Sequence, residues 1–195
     1  MAHAGVAPIP RVAGDAVREF LRRTEVDNPE SEWAMDLVHQ AREDAARLLG
    51  AHADEFALLG PTSLGLGLVA NGLDWEPGDE VIAYFDDYPS NVYPWTQLKS
   101  KGVNYIGLKP EAPGAITWEL IESALTPRTK LVALASCHFL SGYLIDIDTI
   151  GRNLGERGVL FCVDGIQTLG AFPTPVEHVD FLSADSHKWM LGPAA

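Results

Sequence analysis

The residues of this 195-residue sequence able to do chemistry stand just after short apolar runs. Lys188 closes Ala184-Asp185-Ser186-His187-Lys188, after the run Val179 to Ser183. An amine at such a run's end points into a crevice and can form a Schiff base with a carbonyl. The plainer alternative is an ordinary surface lysine. Asp164 ends Val159-Leu160-Phe161-Cys162-Val163. A carboxylate at the mouth of a buried strand is costly unless a cation or donors meet it. A protonated ring nitrogen is such a cation; the competing role is a helix N-cap.

Gln167 follows Asp164 by one helical turn, so its amide can reach a ring oxygen. Thr62 and Ser63 open a helix after Gly60-Pro61. Free N–H groups and two hydroxyls there suit a phosphate, though either residue could be a plain cap. The segment is neither a Walker A loop nor GxGxxG, so nucleotide-specific readings lose support. Tyr88 follows the run Glu80 to Tyr84 and can cover a ring, a task open also to Tyr93 or Trp95. His138 ends another run and either faces a substrate or is satisfied in the core. Together these groups fit one ligand, a phosphorylated, ring-bearing aldehyde: pyridoxal 5′-phosphate (PLP).

The elements that must position them alternate. Helices are expected at Val12 to Arg23, Ser31 to Leu49, Ser63 to Leu73, Asn91 to Lys101, Thr117 to Leu125 and Asp146 to Arg157. Strands are expected at Glu55 to Leu59, Glu80 to Tyr84, Val103 to Leu108, Lys130 to Ser136, Val159 to Val163 and Val179 to Ser183. Periodicity, caps and Gly or Pro punctuation carry these assignments. The strands are apolar throughout rather than alternating, as strands covered on both faces are. The expectation is an α/β fold, a three-layer α/β/α arrangement around a mostly parallel sheet. Ligands in such sheets bind beyond the carboxyl ends of the strands, where the polar clusters stand.

Composition narrows the partners. Lys and Arg total 14 against 27 Asp and Glu, a net charge of −13, which argues against nucleic acid and against an anionic membrane surface. No run is long enough to span a bilayer, and without a basic segment followed by an apolar one near residue 1 no signal peptide is expected. Cys137 and Cys162 make no disulfide framework and read as buried, reduced thiols of a cytoplasmic protein. The six histidines show no HxxxH and the cysteines no CxxC, so no metal is expected.

At this point the sequence resembles the class V aminotransferase family of fold-type I PLP-dependent enzymes, which includes cysteine desulfurases, selenocysteine lyases and isopenicillin-N-epimerase-like proteins. The segments that carry the resemblance are HAGVAPIP (3–10), GPTSLGLGLVAN (60–71), YPSNVYPW (88–95), VDGIQ (163–167) and SADSHKWMLGP (183–193). It implies that Lys188 carries the cofactor, that Asp164 pairs with its pyridine nitrogen and that Gln167 contacts its ring oxygen. It also implies phosphate contacts from Thr62, Ser63 and His187, and an amino acid as substrate. Tyr88 stands where desulfurases place a ring-stacking His, and Asp185 where they place a phosphate-binding Ser. Asp185 is therefore expected to turn toward backbone donors or Ser186.

By the same resemblance, residues 1–30 lead into a PLP-binding large domain, 31–195, cut soon after its lysine and lacking a C-terminal small domain. Full-length members are usually homodimers. The reaction expected is desulfurase-like or epimerase-like. The competing readings are a non-catalytic scaffold and a flavodoxin-like nucleotide binder.

Overall fold

The computed structural model describes residues 3–193. Five strands form one parallel sheet: β1 (Glu80–Ala83), β2 (Asn104–Gly107), β3 (Thr129–Ala135), β4 (Leu160–Asp164) and β5 (Phe181–Ser183), in the order β2-β1-β3-β4-β5. The helices are α1 (Arg11–Thr24), α2 (Glu32–Leu49), α3 (Thr62–Gly72), α4 (Tyr93–Thr96), α5 (Trp118–Ala124) and α6 (Ile147–Gly155).

Alternate strand residues face two separate cores, which is why the strands read as unbroken apolar runs. Ile82, Val132, Leu134, Phe161 and Val163 pack with Ile121 of α5 and with Ile150 and Leu154 of α6. Val81, Ala83, Leu131, Ala133 and Cys162 face the other way, onto Leu66 and Ala70 of α3 and Trp95 of α4. The result is the three-layer α/β/α arrangement the sequence implies. Local signals place the helix ends. Thr117 accepts from Leu120 N and Asp146 from Thr149 N, and Gly50, with φ of +67°, closes α2.

Two expectations fail. Glu55 to Leu59 is not a strand. A 3₁₀ turn covers Ala53–Glu55, and the rest is irregular, with Leu58 and Leu59 about half exposed. A strand exists only through its ladder, and no strand among the described residues pairs with this segment. The expected helix Asn91 to Lys101 is broken into a 3₁₀ turn (Pro89–Asn91), one α-turn (α4) and a second 3₁₀ turn (Gln97–Lys101). Pro94 has no N–H and fits only in a first helical turn, so a new helical start is forced there. Among the described residues no helix is long and apolar enough to cross a membrane, and no cluster of His, Cys, Asp and Glu could hold a metal.

Candidate active site

The carboxyl ends of the strands open onto a cavity of about 540 Å³. Its lining includes Thr62, Ser63, Tyr88, Gln167, His187 and Lys188. Asp164, at the end of β4, is buried, with 2% of its surface exposed. Tyr88 is half exposed and meets Phe139 edge-on.

Lys188 is buried, 7% exposed, with Nζ 5.6 Å from the centre of the Tyr88 ring. Burial pushes its amine below the ordinary lysine range, against the pull of Asp164 and Asp185 toward the charged form. A buried amine with a lowered pKa is a better nucleophile than a solvated ammonium.

Asp164 Oδ1 accepts from Ile166 N at 3.1 Å. Burial pushes its carboxyl up to about 7. The Ile166 N–H and a Ser90 hydroxyl contact oppose that rise, as does the charge of Lys188, while Asp87 adds to it. Such a carboxylate gains most from a cation placed against it.

Thr62 is buried at the start of α3, and its Oγ1 has no hydrogen-bond partner. Pro61 is the N-cap and offers no side-chain acceptor; its carbonyl takes the Leu64 N–H, and the N–H groups of Thr62 and Ser63 at the start of this 11-residue helix are left uncapped. An orphaned buried hydroxyl beside an uncapped helix start, on a cavity wall, fits an anionic phosphate oxygen. Gly65 sets the height of this wall. A Cβ there would lie 2.3 Å from Ser183 Oγ, which donates to the Thr62 carbonyl at 3.1 Å.

His187 Nδ1 lies 3.0 Å from Asp185 Oδ2 and makes no hydrogen bond there, so a buried ring nitrogen is left unpartnered on the cavity wall. Asp185 turns to His187, not to backbone donors or Ser186. Gln167 donates to the Ala4 carbonyl at 3.1 Å and accepts from Trp189 Nε1 at 3.4 Å. Its second amide N–H remains for a ring oxygen.

Sequence reasoning missed several neighbours. Ala4, Gly5 and Val6 line the cavity, held by the Gln167 contact and by Ala7 N donating to the His187 carbonyl at 2.9 Å. The HAGVAPIP match marked this segment without revealing its place. Ser90 and Phe139 also line the cavity and carry no signal of their own. His138 is a core residue: Nε2 lies 3.1 Å from the Asp86 carbonyl, and Nδ1 lies 2.9 Å from Ser141 Oγ. Cys162 is buried as expected, whereas Cys137 is only partly so, and desolvation pushes both thiols up, which makes them poor nucleophiles.

Comparison with known proteins bears on the family and the fold. Residues 2–194 match the family model described as aminotransferase class-V. The "Probable cysteine desulfurase" of Methanothermobacter thermautotrophicus is 28% identical over 197 residues, covering 97% of this chain and 49% of the relative. The cysteine desulfurase IscS of Anaeromyxobacter sp. strain K is 30% identical over 202 residues, covering 98% and 49%. The chain thus spans about half the length of the curated relatives it matches.

Among solved structures, the apo cysteine desulfurase of Thermococcus onnurineus NA1 superposes with a TM-score of 0.90 at 23% identity, over 99% of this chain and 50% of that one. A lysine-to-alanine variant of the lyase C-DES, solved with glycine covalently linked to its PLP cofactor, gives 0.87 at 22% identity, over 98% and 53%. These two likenesses show the fold.

Proposed function

The chain belongs to the class-V aminotransferase family over residues 2–194, and we propose that it forms the cofactor-binding part of a PLP-dependent, desulfurase-like enzyme acting on an amino acid. The observation that carries this reading is one cavity lined by buried Lys188 and the orphaned Thr62 hydroxyl, with buried Asp164 just behind its wall, bonded to the N–H of the lining residue Ile166. When bound, PLP supplies an electron sink for charge developing at a substrate's α-carbon.

The chain's own groups divide the remaining work. Lys188 Nζ would hold the aldehyde end of the cofactor, and its free amine would serve as the base that takes a proton from the substrate. A lowered pKa raises the share of free amine, which both tasks require. Asp164 holds the proton on the ring nitrogen, and that cation in turn keeps Asp164 ionised. Thr62, Ser63, the start of α3 and His187 hold the phosphate. Gln167 meets the ring oxygen, and Tyr88 covers the ring face. Tyr88 offers an aromatic face and no imidazole, so proton transfer falls to Lys188.

Desulfurase-like chemistry is favoured over epimerisation because several of the curated relatives carry the name cysteine desulfurase. Leu64, Leu68, Tyr88 and Tyr93 are exposed apolar side chains, which supports a homodimer for the whole protein. Light scattering tests that, and a monomer overturns it.

The test of function is to add PLP, reduce with borohydride, and weigh the protein. A stable phosphopyridoxyl adduct on Lys188 is expected, and its absence overturns the reading. Sulfide release from cysteine by the full-length enzyme, set against inversion at the α-carbon, then decides between desulfuration and epimerisation.

A further inference from the structure

A second buried carboxylate, Asp87, stands behind the site and has no part in the scheme above. It is 8% exposed. Oδ1 accepts from Tyr88 N at 2.7 Å, and Oδ2 accepts from Asn91 Nδ2 at 3.1 Å and from Ala135 N at 3.2 Å. One side chain thus joins the ring-facing tyrosine, the 3₁₀ turn after it and the last residue of β3, 48 positions away in sequence.

Ala135 is the register partner of Asp164 on the neighbouring strand. Behind the turn, Asn91 accepts from Trp95 Nε1 at 3.0 Å, and Trp95 is fully buried. The Tyr88 segment is therefore tied on one side to the strand end beside Asp164 and on the other to the core.

The residue type follows from the partners. All three are N–H donors, and a carboxylate is the acceptor-only group that can meet them all. An asparagine would turn an N–H₂ toward one donor. Burial pushes the Asp87 carboxyl above its ordinary range, a cost a solvent-facing turn would not carry.

We propose that Asp87 is a positioning residue, fixing Tyr88 against the end of β3 so that the ring cover and Asp164 keep one relative geometry. This inference rests on the PLP reading above.

Two experiments test it. The first is amide hydrogen exchange of the cofactor-free wild-type protein. The Tyr88 and Ala135 amides are expected to exchange slowly and through the same opening; an unprotected Tyr88 amide overturns the clamp.

The second compares Asp87→Asn with wild type by PLP titration and by visible circular dichroism of the bound cofactor, which reports ring orientation. Affinity about tenfold weaker, with a smaller dichroic signal per bound cofactor, is expected from losing a hydrogen bond to a charged group. Wild-type affinity and dichroism in the variant overturn the proposal. A variant that does not fold leaves the exchange result to decide. Wild-type protein that binds no PLP defeats the functional reading, while the exchange experiment still judges the clamp.

Discussion

Lys188 Nζ lies 5.6 Å from the centre of the Tyr88 ring, and the two side chains line the same cavity. That spacing places a reactive amine beside an aromatic cover. A ring-stacking role predicts that Tyr88→Phe binds PLP nearly as well as wild type. Tyr88→Ala loses about 0.5–1.5 kcal/mol of stacking, a roughly two- to tenfold weaker affinity. Titration by fluorescence quenching reads both. Equal affinity for all three proteins removes Tyr88 from the cofactor site.

Thr62 sets stability against binding. Its buried hydroxyl has no partner, so Thr62→Val removes an unsatisfied polar atom at nearly constant volume. The cofactor-free variant is expected to melt at or above the wild-type temperature. Its PLP affinity is expected to fall by about tenfold through the lost phosphate contact. A lower melting temperature with unchanged affinity contradicts the assignment.

Asp164 gives the cofactor-free protein an unusual pH dependence. Its folded pKa, about 7, lies above the ordinary carboxylate value, so between about pH 4 and 7 the folded state binds more protons than the unfolded one. Stability is then highest near the low end of that window and falls as pH rises through it. Asp87, also pushed up by burial, acts in the same direction. Asp79 and Asp146 have lowered values and act below about pH 4. Asp164→Asn is expected to flatten the slope across pH 5–7 in urea titrations, and adding PLP is expected to shrink it in wild type. An unchanged slope in the variant shows that Asp164 is not the group responsible.

Gly65 allows α3 to approach β5. Alanine is the better helix former by about 1 kcal/mol. At this site its Cβ would fall 2.3 Å from Ser183 Oγ and displace the hydroxyl that holds the Thr62 carbonyl. Gly65→Ala is expected to lower stability by about 1–3 kcal/mol despite its propensity, and to weaken PLP binding with it. A stabilised variant with wild-type affinity rules out this packing.

Much of this was legible in the sequence because it is local. The apolar runs from Glu80 and Lys130, the helix from Asp146 and the polar residues just past each strand depend on near neighbours. Glu55 to Leu59 has a strand's composition, but a ladder needs a partner that composition does not reveal. The segment after Asn91 has helical spacing, and Pro94 overrides it. Asp87 drew no separate reading from the sequence, since its role depends on Ala135, a contact no local pattern encodes. Asp185 was misplaced for a different reason: His187 is only two residues away, and which near neighbour the carboxylate meets depends on the shape of the turn.

The central claim is that Lys188 is the covalent attachment point for PLP. Wild-type protein and Lys188→Ala, each incubated with PLP, reduced with borohydride and digested, decide it by mass spectrometry. A phosphopyridoxyl group on the Lys188 peptide of wild type, and none on the variant, is the predicted result. Equal labelling of the two proteins, or labelling of wild type at another lysine, contradicts the account.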